Sequence, residues 1–221
     1  MAVKRKGRGR IRALAICGSA RRDGNTAFLL TKVLEGAEKA GAATELVFVS
    51  ELDVKGCLGC DACKAPRTKR CAIQDDMQAL YRKLERAEVW VFGTPVYWFH
   101  VSAHLKSLID RLYAFFSFDG DYHRRLTGDR RGLAVVVQEA ETDDEGREVA
   151  AYLEKVLWAA GAETAGSLVG ARLREAGAAQ SREDLIEEAQ TLGESAVAGL
   201  REQGVACESG GPSRERIAGS R

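Results

Sequence analysis

Two stretches of this sequence hold residues that could do chemistry. The first, Gly18-Ser19-Ala20-Arg21-Arg22-Asp23-Gly24-Asn25-Thr26, sets small residues, hydroxyls, an amide and two guanidinium groups directly after an apolar run. Groups of this kind on a turn that opens a helix favour an anion, because free backbone N–H groups and the positive end of the helix dipole meet there. The second, Cys57-x2-Cys60-x2-Cys63-x7-Cys71, crowds four of the six cysteines into fifteen residues. Three thiols at three-residue steps let one loop wrap a cubane, with the fourth closing it from the start of the next helix.

Spacing narrows both. A triphosphate loop reads G-x-x-x-x-G-K-[ST]; here five residues separate Gly18 from Gly24, and Asn25 stands where the lysine would be. The dinucleotide fingerprint G-x-G-x-x-G is absent. What remains is a turn suited to one terminal phosphate, such as that of FMN, held by hydroxyls, amides and an arginine. For the cysteines, zinc more often uses two separated pairs, and His100, His104 and His123 all lie in or beyond the third helical region. An iron-sulfur cluster, zinc and metal-free thiols are the three readings of Cys57, Cys60, Cys63 and Cys71. Lys64, Arg67, Lys69 and Arg70 make the last spacer basic, which would suit an acidic electron-transfer protein such as a ferredoxin.

A third stretch, Thr94-Pro95-Val96-Tyr97-Trp98-Phe99-His100, follows an apolar run, and its backbone and rings could hold a flat ligand.

The surrounding pattern supplies the elements that would position these stretches. Short apolar runs at Ile11–Cys17, Thr44–Val49, Ala87–Gly93, Gly132–Gln138 and Glu163–Gly170 read as strands. Helical periodicity falls at Ala27–Ala40, at a second helix carrying Met77, Leu80 and Leu84 after a cap at Asp75 or Asp76, and at Ser102–Phe116, Glu145–Ala160 and Ser181–Arg201. Strands alternating with helices argue for an α/β, doubly wound five-stranded parallel sheet, with the order 2-1-3-4-5 and helices on both faces. In that order the ligand lies beyond the carboxyl ends of the first and third strands, where the turn at Gly18–Thr26 and the loop at Thr94–His100 both emerge.

With 221 residues, a net charge of +1 and 45% hydrophobic residues, the chain fits one domain, and its totals indicate neither a nucleic-acid binder nor a disordered protein. A basic flexible arm is expected at 1–10, the domain at 11–203 and a disordered tail at 204–221. No run approaches the ~18 apolar residues of a membrane span, and the cysteine distribution is not a disulfide framework, so a cytoplasmic location is expected. Cys17 reads as a small buried hydrophobe.

The turn at Gly18–Thr26 and the segment Thr94–Trp98 resemble those of the flavodoxin-like NADPH-dependent FMN reductases. Together with the cysteine loop and Asp75-Asp76-Met77, the chain is most similar to the iron-sulfur flavoproteins of that group, over about residues 11–200. The resemblance implies that Ser19, Arg21, Asn25 and Thr26 bind the FMN phosphate and that Pro95, Val96, Tyr97 and Trp98 bind the isoalloxazine. It also implies a [4Fe-4S] cluster on the four cysteines, NAD(P)H or ferredoxin as electron donor, a small acceptor such as a quinone, and a homodimer or homotetramer. Two alternatives stand beside it: a cluster-free NAD(P)H-dependent FMN or quinone reductase, and a non-catalytic flavin or metal redox sensor.

Overall fold

A computed structural model describes residues 9–65, 70–117, 123–126 and 128–208. Strands β1 (Arg12–Cys17), β2 (Ala43–Phe48) and β3 (Val89–Pro95) are followed by a short antiparallel ribbon of β4 (Phe116–Ser117) and β5 (His123–Arg124), then by β6 (Arg131–Val137) and β7 (Glu163–Gly170). Helices are α1 (Asn25–Lys39), α2 (Met77–Arg86), α3 (Ala103–Arg111), α4 (Asp144–Ala160) and α5 (Glu183–Glu208). The main sheet is all parallel in the order β2-β1-β3-β6-β7, the 2-1-3-4-5 arrangement read from the sequence. The ribbon β4–β5 was not anticipated, since two residues a side leave no periodicity to read.

The central strands are continuous apolar runs because both of their faces are buried. Leu14, Ile16, Trp90, Phe92, Ala134 and Val136 pack against α2, α3 and α4 on one face. Ala13, Ala15, Val89, Val91, Leu133 and Val135 pack against α1 and α5 on the other. Helices α1 and α5 nearly touch at their backbones: a Cβ on Gly36 would lie 1.9 Å from the Gln190 carbonyl oxygen, and one on Gly193 1.9 Å from that of Val33. No side chain larger than hydrogen fits there.

Several boundaries differ from the periodicity. Helix α3 tightens at Leu112–Phe115 into a 3-10 turn, and α5 runs on to Glu208 where the sequence reading ends it near Arg201 and starts a tail at 204. The basic arm lies outside the described residues except for its end, where the Arg10 guanidinium donates to the carbonyls of Gly41 and Ala42 and anchors the chain below β1. Residues 209–221 lie outside the described residues too.

Candidate functional site

The loops after β1 and β3 meet at the carboxyl edge of the sheet, and particular residues join them. Ser102 Oγ donates to the Gly18 carbonyl (2.7 Å) and accepts from Leu105 N–H, capping α3. Its own N–H donates to Thr94 Oγ1 (3.0 Å). Gly18 N–H donates to the Gly93 carbonyl, and a Cβ on Gly18 would come within 2.8 Å of Leu105 Cβ. That close approach explains the glycine. Sequence reasoning read Ser102 as a helix start but missed its tie to Gly18, because a contact across 84 residues leaves no local signal.

The turn itself is built for an anion. Gly24 is the N-cap of α1 and gives it no side-chain cap; the first i→i−4 bond runs from Phe28 N–H to the Gly24 carbonyl. The N–H groups of Asn25, Thr26 and Ala27 therefore precede the helical ladder. Ser19 and Thr26 are buried beside them, and Ser19 Oγ accepts from Arg21 N–H (3.2 Å), which shapes the turn. The Asn25 side chain is engaged elsewhere: its amide donates to the Leu173 and Glu175 carbonyls (3.1 and 2.8 Å) and accepts from Ala179 N–H (3.0 Å). Only its backbone N–H is left for a phosphate.

Seven of the eight residues expected to hold the cofactor, namely Ser19, Arg21, Asn25, Thr26, Pro95, Val96 and Tyr97, line one cleft of about 550 Å³. That size is ordinary for a cofactor site. Its remaining wall, missed from sequence, comes from Val137–Glu139 beyond β6 and Leu173–Ala176 beyond β7. Gln138 is buried, and its Oε1 has no hydrogen-bond partner among the described residues.

The eighth residue, Trp98, instead faces an adjoining cleft of about 280 Å³, shared with Val96, Phe99, Gln138, Glu139 and Glu145. Trp98 is 91% exposed and Phe99 68%. Both have positive φ (47° and 62°), in a two-residue hairpin closed by Tyr97 N–H to the His100 carbonyl and His100 N–H to that of Tyr97. Asn-Gly normally occupies such a turn; two aromatic residues there are strained, a condition that gathers at functional sites.

The cysteines are organised differently. Cys57 and Cys60 are exposed, whereas Cys63 and Cys71 are half-buried and pack against the core. Burial pushes the Cys63 thiol up, the nearby Cys71 adds to this, and Lys64 and Arg125 oppose it. Arg125 Nη1 donates to the Cys63 carbonyl (2.5 Å), and Lys64 Nζ donates to the carbonyls of Tyr113 and Phe116. Arg67 and Lys69 of the basic spacer lie outside the described residues.

At the loop's other end, Asp75 does more than cap α2. Its carboxylate accepts from Met77 N–H and Lys55 N–H and forms a bidentate pair with Arg111 (2.6 and 3.1 Å), both side chains being fully buried. Asp76 gives no cap either; it accepts from Asp53 N–H. Burial alone would raise the Asp75 carboxyl, but the Arg111 guanidinium and the Lys55 amide together hold it below the usual range.

No group of three or more Cys, His, Asp or Glu able to hold a metal occurs among the described residues. In this arrangement the four thiols do not form a cage, so no step is derived through a cluster. Cys17, pushed up to about 11 mainly by burial, stays a neutral thiol beneath the turn, as its sequence context suggests.

An all-parallel sheet in the order 2-1-3-4-5, with a cleft at the carboxyl ends of its first and third strands, defines a flavodoxin-like fold. The sequence profile of the NADPH-dependent FMN reductases matches residues 11–172, and the chain belongs to that family of flavin-dependent oxidoreductases. An iron-sulfur flavoprotein of Archaeoglobus fulgidus is 32% identical over 72% of this chain and 68% of its own length. One from Methanocaldococcus jannaschii is 35% identical over 46% of this chain and 51% of its own. An NAD(P)H:quinone oxidoreductase from Methanothermobacter marburgensis shares the fold, with a TM-score of 0.67 at 16% identity over 84% of this chain and 98% of its own. No helix among the described residues is long and apolar enough to cross a membrane.

Proposed function

We propose that this protein binds FMN in the 550 Å³ cleft, takes electrons from NAD(P)H and passes them to a small acceptor such as a quinone. The observation that carries the reading is the convergence of the first turn and the Thr94–His100 loop on one cleft, tied by Ser102. The N–H groups of Asn25, Thr26 and Ala27, with the hydroxyls of Ser19 and Thr26 and the guanidinium of Arg21, would hold the phosphate. Pro95, Val96 and Tyr97 would hold the ring, and Trp98 and Phe99 would flank whatever approaches it from the adjoining cleft. Bound FMN supplies the hydride and electron chemistry; the chain binds, orients and excludes water. No cleft side chain has to act as an acid or base.

The test is a spectrum of the purified protein followed by anaerobic addition of NADPH. Flavin absorbance near ~450 nm that bleaches with NADPH and returns with a quinone supports the reading. A flavin that NADPH leaves oxidised, but reduced ferredoxin bleaches, moves the donor to a protein; one that responds to neither supports a sensor. A second homo-oligomeric copy covering Trp98 and Phe99 is part of the proposal, as is a reducing, cytoplasmic setting for the free thiols.

A cluster on Cys57, Cys60, Cys63 and Cys71 is a second reading, favoured by the thiol spacing and by the relatives named iron-sulfur flavoproteins. It requires the exposed Cys57 and Cys60 to close over Cys63 and Cys71. Roughly four iron and four sulfide per chain after anaerobic purification would support it, whereas flavin without iron would leave the cluster-free reductase.

A further inference from the structure

The Asn25 side chain contacts the segment that follows β7 rather than pointing at the site for an anion. Its amide is 7% exposed and makes three hydrogen bonds, all to residues 173–179: two donated to carbonyls, one accepted from Ala179 N–H. The partners are 148 to 154 residues away in sequence. That segment supplies Leu173, Arg174, Glu175 and Ala176 to the wall of the cleft facing the turn. Its other ties at the carboxyl edge of the sheet lie at its start and on the surface: Leu173 N–H donates to the Gln138 carbonyl, Arg172 N–H to that of Ala140, the exposed Arg172 guanidinium donates to the Glu141 carbonyl and pairs with its carboxylate, and the exposed Arg174 pairs with Glu139. Arg172 and Gly177, at either end, both have positive φ (59° and 84°), so neither continues a regular element.

An amide uniquely suits this position. It offers two donors and an acceptor on one short stem, which a hydroxyl or carboxylate cannot match; it pairs the Leu173 carbonyl and the Ala179 N–H and adds a second donor to the Glu175 carbonyl, which also accepts from Ala178 N–H. Both Leu173 and Leu185, on either side of the segment, are buried against the α1 face of the core, so the amide fixes the stretch between two apolar anchors.

We propose that Asn25 is a positioning residue: it clamps the 173–179 segment to the start of α1 and so sets the far wall of the flavin cleft, rather than binding phosphate through its side chain. The proposal rests on the FMN reading and deepens it. A clamp acts on the shape of the whole cleft, so its loss weakens flavins with and without a phosphate alike. A phosphate ligand acts on the phosphate alone.

The experiment compares FMN with riboflavin, which lacks the phosphate, on wild type and Asn25→Ala, with hydrogen exchange of residues 171–180 measured in parallel. The clamp predicts that Asn25→Ala raises the dissociation constants of FMN and riboflavin by the same factor, about tenfold or more, and speeds exchange in 171–180 in the absence of flavin. Loss confined to FMN with riboflavin unchanged would make Asn25 a phosphate ligand and overturn the proposal. Unchanged exchange in 171–180 would overturn it too. If Asn25→Ala does not fold, wild type decides: either flavin should slow exchange at 171–180, and no slowing by bound flavin refutes the coupling. Wild type that binds neither flavin refutes the FMN reading instead, while the exchange difference between wild type and variant still tests the clamp.

Discussion

The flavin cleft and the cysteine loop sit on the same protein and both stand out in its sequence, yet they are held by opposite means. The cleft is tied by neutral, short-range hydrogen bonds: Ser102 to Gly18 and Thr94, Asn25 to residues 173–179. Its ligand groups converge without any further movement. The cysteine loop is tied by cations to carbonyls and to one carboxylate, through Arg111, Arg125 and Lys64, and its four thiols remain divided between a half-buried pair and an exposed pair. The cleft is lined by charges of both signs, Arg21 and Arg174 with Glu139 and Glu175, and the dipole of α1 and its free N–H groups add a positive field at the turn. Cationic ties around the cysteines add positive charge where anionic sulfur would gather. In one region the polar groups lining a cleft are tied by neighbouring elements; in the other only Cys63 and Cys71 of the four cysteines pack against the core.

The largest break in that contrast comes at Arg111. Replacing it with Met leaves Asp75 charged in the core, and the stability measured by urea unfolding should fall by about 3–5 kcal/mol. Flavin affinity of the fraction that remains folded should hardly change, since Arg111 does not line the cleft. A fall in flavin affinity as large as the fall in stability would mean that the two regions are one unit.

On the cleft side, Ser19→Ala with Thr26→Ala removes hydroxyls facing the phosphate and should weaken FMN about tenfold or more while sparing riboflavin. Equal loss of both flavins would place these hydroxyls in the architecture instead. Set beside Asn25→Ala, this pair of variants separates phosphate contact from wall positioning within a single turn.

The acid limb of stability should come partly from the cysteine-loop anchor. Because the folded Asp75 carboxyl is held below its unfolded value, the folded state binds the proton less well. Its contribution is complete above the unfolded value of about 4 and is lost as pH falls through the lower folded value. Stability measured between pH 6 and pH 3 should therefore fall less steeply in Asp75→Asn than in wild type, from a lower starting point. Parallel curves would show that another carboxylate sets the acid limb.

The smallest effect is expected at the aromatic hairpin. Trp98→Asn with Phe99→Gly relieves two positive-φ positions and should raise stability by about 1 kcal/mol while lowering turnover with a quinone. Higher stability with undiminished turnover would assign Trp98 and Phe99 to subunit contact alone, which light scattering on the same variant would register.

The three central strands were legible as short apolar runs buried on both faces and the edge strands β2 and β7 as half-buried runs following a helix, and Glu163–Gly170 matches its sequence range residue for residue. Parallel order followed from the alternation with helices. Seven of the eight residues expected to bind the cofactor fall in one cleft because they lie on two strand–helix turns whose position in the fold is set by topology. Trp98 lines the adjoining cleft because the hairpin reverses the chain after Tyr97, and a reversal built from two aromatic residues carries none of the glycine or asparagine by which such turns are recognised. Asp75 read as a helix cap because Asp before a helix usually is one; its pairing with Arg111, 36 residues on, has no local mark.

By itself the sequence determined the class of this protein: the periodicities that make a doubly wound sheet, the turn of small and hydroxyl residues at Gly18–Thr26 that opens a helix, and the four cysteines with their basic spacer. These depend on neighbours in the chain, so spacing and residue type are enough. Only the tertiary structure decided what the side chains are used for. It turned the Asn25 amide toward residues 173–179, buried Arg111 against Asp75, brought residues 137–139 and 173–176 into the cleft wall, and left Cys57 and Cys60 apart from Cys63 and Cys71. Each of these outcomes is a competition among distant partners for one polar group. A hydrogen bond goes to whichever donor or acceptor the folded backbone brings within 3 Å or so, and that distance is a property of the packed sheet and helices.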